Sequence, residues 1–198
     1  MPYKMLLEAN NRFDEAIAEI NHLQKIDPLN IRFRHLALGW LNLYAHRHDE
    51  SISQCKKVLE LDPNSVQPYV MLGWNYAFKG MHAEAIAASD KAISLSDATN
   101  KVLLGQIAYI YGVSGNQPQA RKLLRRLIEL SKQGYVDHYY IAMAYAGLGE
   151  KDLAFEYLAR AYEERSPSMI GLKIDPFLDN LRSDSRYTEL LRKVGLEK

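Results

Sequence analysis

The sequence predicts an all-α protein built from about five similar helix hairpins, and three observations support this prediction. Small residues recur at intervals of 34 or 35 positions along most of the chain. Within each interval the apolar residues follow a helical period, and polar breaks rich in Gly, Asn and His separate the apolar runs. No segment alternates apolar and polar residues for long, so we predict no strand.

The repeat is clearest at a small residue near the start of the second helix of each hairpin. This position is held by Ala16, Ser51, Ala85, Ala120 and Ala154. Two units also end in the same dipeptide, at Asp27-Pro28 and Asp62-Pro63, where proline stops the preceding helix. The predicted units are 1–31, 32–65, 66–100, 101–134 and 135–168, with the first one incomplete, and a capping segment follows at 169–198.

The helical period is easiest to follow in the third unit. Tyr69, Leu72, Gly73 and Tyr76 lie at i, i+3, i+4 and i+7, which places them on one face of a first helix. A small residue on that helix allows a close approach to the second helix of the same unit. We assign this role to Gly39, Gly73, Ala108 and Ala142.

This order of large and small residues resembles the tetratricopeptide repeat, and the resemblance extends from residue 1 to about residue 168. The third unit matches best, while the second unit departs by carrying Asn42 in a usual aromatic position and Ser51 in the usual alanine position. The resemblance implies a right-handed α-solenoid of about five hairpins, whose first helices line a concave groove.

The two ends of the chain differ from the repeats. About nine residues precede a second helix predicted near Asn11–Lys25, so we expect either a shortened first helix or a start inside a longer protein. At the other end, 186–194 is predicted to form a capping helix. Its inner face is predicted to carry Tyr187, Leu190, Leu191 and Val194, with Arg192 and Lys193 outside. This tail resembles the closing segment of repeat domains at the C-terminus of bacterial signalling and transcription-regulating proteins. That resemblance implies a regulatory or catalytic domain upstream.

The composition narrows the classes of partner. The 25 Lys and Arg residues nearly balance the 24 Asp and Glu residues, so we expect neither nucleic acid nor a membrane surface as partner. The single cysteine excludes an intrachain disulfide framework and fits a reducing compartment, so we expect a cytoplasmic protein. No apolar run approaches the ~20 residues that span a bilayer.

No arrangement of side chains predicts catalysis, a cofactor or a metal. His46 and His48 do not share a helix face and have no third ligand nearby, so we interpret them as part of a polar loop. Cys55 lies in a packing position and is interpreted as a buried, inert thiol. A basic stripe is interpreted as a solvated convex face rather than a site for an acidic partner or nucleic acid. It comprises Lys56, Lys57, Lys91, Arg121, Lys122, Arg125 and Arg126.

The candidate functional site is the groove lined by the first helices. Its predicted peptide-binding residues are Phe33, Leu36, Trp40, Gln67, Val70, Trp74, Tyr109, Tyr139 and Met143. Repeat proteins that clamp the C-terminal carboxylate of heat-shock chaperones need Lys, Asn and Arg in such positions. The absence of cations here argues against that function.

An aromatic wall of this kind usually marks an interaction site when it is exposed. The sequence therefore predicts a non-catalytic scaffold that binds a hydrophobic peptide or an amphipathic helix, with Trp40, Trp74 and Tyr109 as anchors. On this hypothesis, Trp74→Glu abolishes partner binding and leaves the helicity intact.

Two other interpretations of the groove stay open. Some of its aromatic residues pack between neighbouring helices, or the chain's own tail, or that of a second copy, fills the groove. An alternative function is an effector-sensing or oligomerising C-terminal domain of a bacterial transcription regulator or cyclase, and a homodimer is compatible with either function.

Overall fold

The computed structural model describes residues 12–26, 31–97 and 99–196, and every regular element within these ranges is helical. The chain divides into two compact units, Met1–Leu95 and Ser96–Lys198. Each unit is built from antiparallel helix hairpins, so the predicted all-α fold of repeated hairpins is confirmed.

The described part of the first unit begins with α1 (Phe13–Ile26), the helix predicted near Asn11–Lys25. It packs on the next hairpin through Ala16, which is buried against Leu41. The residues before it and the dipeptide Asp27-Pro28 lie outside the described residues. Two hairpins follow, formed by α2 (Ile31–Tyr44) with α3 (His48–Leu61), and α4 (Val66–Phe78) with α5 (His82–Ser94).

The second unit contains two further hairpins and the C-terminal segment. The hairpins are α6 (Lys101–Val113) with α7 (Gln117–Ser131), and α8 (His138–Gly147) with α9 (Lys151–Glu163). The segment comprises two short 3₁₀ helices, Pro167–Gly171 and Pro176–Leu181, followed by α10 (Ser185–Val194). Side chains cap two of the first helices: Asn100 Oδ1 accepts a hydrogen bond from the Leu103 N–H at 3.1 Å, and Asp137 Oδ1 accepts one from the Tyr139 N–H at 3.0 Å.

The turn inside each hairpin requires a left-handed residue, which explains the composition of the predicted polar breaks. Gly80, Gly115 and Gly149 have φ values of 72°, 81° and 78° at equivalent positions. In the second repeat the same position is taken by His46, with a φ of 57°. Glycine adopts this conformation without steric cost, whereas histidine does so only under constraint from the surrounding turn.

Glycines bring helices close together, but at Gly39 and Gly112 the tightest contact is with the next hairpin and not, as predicted for Gly39, with the second helix of the same unit. A Cβ atom on Gly39 would lie 3.7 Å from Cys55 Sγ on α3 and 2.6 Å from Met71 Cε on α4. In the second unit, a Cβ atom on Gly112 would lie 2.6 Å from the backbone carbonyl of Gly147. Helices α6 and α8 therefore cross in direct backbone contact, which the sequence analysis did not anticipate.

The C-terminal segment closes the second unit as the predicted capping segment. Tyr187 and Leu190 face inward from α10 and are buried. On the outside, the Arg186 guanidinium lies 4.2 Å from the centre of the Phe155 ring and donates to Asp152 Oδ1 at 2.9 Å. These contacts hold α10 against α9 and leave polar side chains on the outer surface, as the end of a repeat array requires.

Candidate interaction surface

In the first unit the predicted groove residues of α2 form a partly exposed aromatic stripe. Phe33 is 47% exposed, and Leu36 and Trp40 are half-buried. Tyr44, one turn beyond, is also half-buried and stacks on Trp40 with ring centres 5.8 Å apart and planes at 23°. We call these four residues the α2 aromatic face.

The predicted groove residues of α4 lie differently. Gln67 is exposed, but Val70 and Trp74 are 0% exposed. The Trp74 ring meets the Trp40 ring edge-on, with centres 5.2 Å apart and planes at 61°. Trp74 thus supports Trp40 from inside the unit, and in this conformation it offers no surface to a partner.

The predicted groove residues of the second unit are all buried. They are Tyr109, Tyr139 and Met143. The ring of Tyr109 meets that of Phe177 edge-on at 5.5 Å, and the Tyr139 hydroxyl donates a hydrogen bond to the Asp175 carboxylate. Both contacts come from the chain's own C-terminal segment, so that segment covers these two tyrosines.

The contacts of this segment with α8 are polar as well as apolar. Asp175 Oδ1 caps the second 3₁₀ helix by accepting from the Phe177 N–H at 2.9 Å. The Asn180 amide donates to the Ala146 carbonyl at 2.8 Å, near the C-terminal end of α8. Leu178 and Leu181 are completely buried beside them. A segment held by several buried leucines and by hydrogen bonds is part of the core of this unit.

Asp175 is a buried carboxyl whose ionisation opposes folding. Burial raises the pKa of Asp175 to about 6, although the hydrogen bond from Tyr139 acts to lower it. A pKa that is higher in the folded state favours folding below the unfolded-state value near 3.8, and this contribution is lost as the pH rises through 6. We therefore expect the second unit to lose about 2–3 kcal/mol of stability between about pH 4 and pH 7 from this group alone.

Asp175→Asn should remove this pH dependence, because the amide keeps the capping oxygen and carries no charge. Urea unfolding at several pH values measures the effect as the difference between variant and wild type. Glu163→Gln, at an exposed side chain of α9, is the control and should follow the wild-type profile. If the free energy of unfolding depended on pH in the same way for wild type and Asp175→Asn, the pH dependence could not come from Asp175.

A buried polar network in the first unit escaped the sequence analysis. Ser51 Oγ donates to the Gly39 carbonyl at 2.8 Å, and Asn75 Nδ2 donates both to Ser51 Oγ and to the Met71 carbonyl at 2.8 Å. Because both amide protons are used, Asn75 Oδ1 is the acceptor for His48 Nδ1 at 3.0 Å. The network links three helices and fixes the tautomer of His48.

The other side chains considered for catalysis, metal binding or charge recognition have structural roles. Burial raises the pKa of Cys55 to about 12, so its thiol stays protonated and is a poor nucleophile. Within the described ranges, no three His, Cys, Asp or Glu side chains come together in a way that could hold a metal ion. In the predicted basic stripe, Arg121 pairs with Glu150 at 2.5 Å. None of the helices in the described part of the chain is long and apolar enough to cross a membrane.

Comparison with known families supports the fold. Residues 66–99 match the model of the tetratricopeptide repeat, and they cover α4, α5 and the turn that follows. The resemblance predicted from the sequence is therefore confirmed, and the chain is similar to tetratricopeptide-repeat proteins. Proteins of this class are generally non-catalytic scaffolds for protein–protein interaction. No curated protein matches the chain in sequence.

Several solved structures share the arrangement of hairpins. The crystal structure of MamA is 26% identical with a TM-score of 0.52, and the match covers 80% of this chain and 92% of MamA. A thermophilic TPR protein of Thermus thermophilus is 18% identical with a TM-score of 0.64, over 97% of each chain. PilW, a widely conserved type IV pilus biogenesis factor, is 20% identical with a TM-score of 0.58, over 96% of this chain and 90% of PilW. The last two likenesses show the fold alone.

Proposed function

We propose that this protein is a non-catalytic scaffold that binds a hydrophobic peptide or an amphipathic helix on the α2 aromatic face. The observation that carries the proposal is the partial exposure of Phe33, Leu36, Trp40 and Tyr44 on one side of one helix. Exposed aromatic surface of this kind is uncommon unless a partner covers it.

The spacing of the α2 aromatic face suits a helical partner. From Phe33 to Tyr44 the side chains lie at i, i+3, i+7 and i+11, which follows one stripe of the helix. Eleven residues of helix rise about 16 Å, equal to three turns of a partner helix laid alongside. Apolar residues at the same spacing on an amphipathic helix would meet this stripe along its whole length.

The predicted groove residues of the second unit are a less favourable place for a partner than the α2 aromatic face. Tyr109 and Tyr139, the corresponding predicted residues there, are already covered by Phe177 and Asp175 of the same chain. Displacing that segment would expose its buried leucines at a cost of about 2 kcal/mol or more for each side chain. A partner therefore meets a lower barrier on the α2 aromatic face.

The absence of catalysis is part of the proposal, supported by the buried, protonated Cys55 and by the scaffold role that is general in this repeat class. A cytoplasmic location is proposed from the single cysteine alone.

Binding of a model helix tests the proposal. The probe is an amphipathic peptide of about 18 Leu, Lys and Glu residues without net charge, compared with a scrambled peptide of the same composition. The intrinsic fluorescence of the half-buried Trp40 should change on titration with the amphipathic peptide and not with the scrambled one. Phe33→Glu should weaken binding at least tenfold, because it places a charge in the apolar contact.

Leu61→Glu is the matched control, since Leu61 is 56% exposed in the same unit but lies on α3. It should bind like the wild type, and both variants should keep wild-type helicity. Equal binding by Phe33→Glu and Leu61→Glu would contradict the proposal. Sedimentation showing a dimer that Phe33→Glu dissociates would instead assign the α2 aromatic face to the oligomerising function.

A further inference from the structure

A separate pocket of about 300 Å³ lies at the C-terminal end of the second unit. One wall is the end of α9 at Tyr162, which is 39% exposed. The second wall is the first 3₁₀ helix, where Ile170 is 48% exposed. The end of α10 forms the third wall with Lys193 and Val194. Most of the lining is apolar, so the pocket offers an apolar side chain a place that water otherwise occupies.

Two cations flank this apolar lining. Arg165 lines the pocket and makes no ion pair with any described residue. Lys193 lines it as well and is paired with Glu189, one turn earlier on α10, at 2.9 Å. Among the residues that the structure describes, only one of the two positive charges is therefore paired with a carboxylate. The remaining charge favours a negatively charged group beside whatever occupies the pocket.

We infer that this pocket binds a partner protein through an apolar side chain that lies next to a carboxylate. The apolar side chain would rest against Tyr162, Ile170 and Val194, and the carboxylate would pair with Arg165. A volume near the lower end of ligand pockets suits one side chain and its neighbouring carboxylate rather than a whole helix. This site is independent of the α2 aromatic face.

A second copy of the chain fits the pocket less well than an acidic partner. In a symmetric dimer centred on this pocket the same patch of both copies meets, so the two Arg165 side chains would lie close to each other near the twofold axis. Like charges in such a contact oppose association, whereas a carboxylate from a different segment satisfies them.

The smallest probe with the required chemistry is N-acetyl-leucine, and N-acetyl-leucinamide is its uncharged match. Titration of the full chain, followed by NMR of the backbone amides, should show saturable shifts at residues 162–170 and 193–194. A ligand of this size should bind with a Kd of about a millimolar to ten millimolar. The amide should bind at least fivefold more weakly, since it lacks the carboxylate.

Two variants locate the contacts. Arg165→Asn should abolish the preference for the carboxylate, and asparagine tolerates the positive φ of 55° at this position. Ile170→Ser should weaken both probes several-fold. The matched controls are Arg125→Gln and Leu153→Ser, an exposed arginine and an exposed leucine of the same unit outside the pocket, and both should bind like the wild type.

Three results would overturn the inference. The first is the absence of saturable shifts at these residues, and the second is equal affinity for the two probes. The third is self-association of the full chain that Ile170→Ser abolishes, because this would give the pocket to a second copy. If one variant loses helicity, the other variant and the comparison of the two probes still test whether the pocket binds an apolar side chain next to a carboxylate.

Discussion

Trp74→Glu should unfold the first unit and lower the free energy of unfolding by more than about 4 kcal/mol. Removing a buried tryptophan ring costs about 3–5 kcal/mol, and placing an unpaired carboxylate in the same site adds several more. Trp74 is 0% exposed and supports Trp40 from inside the unit. The glutamate carboxylate at this position could therefore reach solvent only if the hairpins opened. Urea unfolding followed by circular dichroism measures the loss, with Trp40 left as a fluorescent reporter of this unit.

Phe33→Glu is the matched comparison, because it introduces the same charge on the neighbouring helix at a side chain that is 47% exposed. It should change the free energy of unfolding by less than about 1 kcal/mol. From the sequence alone, we expect Trp74→Glu to keep its helicity and to lose only its partner. A wild-type unfolding midpoint for Trp74→Glu would support that expectation and contradict the packing described here.

Gly112→Val should destabilise the second unit by about 3 kcal/mol or more. Its Cβ atom would lie 2.6 Å from the carbonyl carbon and oxygen of Gly147 and 2.9 Å from the Leu148 nitrogen, all of them backbone atoms. A flexible side chain could turn away from such a contact, but backbone can yield only if α6 and α8 separate. In a chain of this length the melting temperature should fall by about 6–12 °C, which calorimetry or thermal circular dichroism measures.

Gly171→Ala is the control for Gly112→Val, because a Cβ atom at Gly171 would meet nothing within 4 Å. Its melting temperature should stay within about 2 °C of the wild-type value. Similar melting temperatures for Gly112→Val and the wild type would show that α6 and α8 do not meet through their backbones.

The features that the sequence predicted correctly are those with a local or periodic signal. The helical period, the polar turns and the inward face of the capping helix each depend on residues within one or two turns of each other. The positions of Gly80, Gly115 and Gly149 follow from the same local requirement for a left-handed residue.

The exposure of the candidate groove depends on contacts between distant parts of the chain. A periodic pattern in the sequence does not encode such contacts. Tyr139 and Asp175 are 36 residues apart, yet their hydrogen bond helps to cover a predicted groove residue. The hydrophobic pattern placed Trp74, Tyr109 and Tyr139 on the faces of their helices that correspond to the Trp40 face of α2. It carried no information on which of them another segment covers.

The buried network shows the same limit in a different way. Ser51 departs from the usual alanine, and the sequence alone gives no reason for this serine. The reason is Asn75, 24 residues away in the next hairpin, whose amide requires an acceptor at that place. A single sequence identifies the unusual residue, and only the fold identifies its partner.

Hydrogen–deuterium exchange of the full chain with the amphipathic probe peptide bound tests the central claim most directly. The claim is that partners meet the α2 aromatic face, while the C-terminal segment covers Tyr109 and Tyr139. We predict slower exchange at 31–44 on peptide binding, with no change at 101–113, 138–147 or 172–182. Slower exchange at 138–147 together with faster exchange at 172–182 would contradict the claim, because the peptide would then have displaced the chain's own segment.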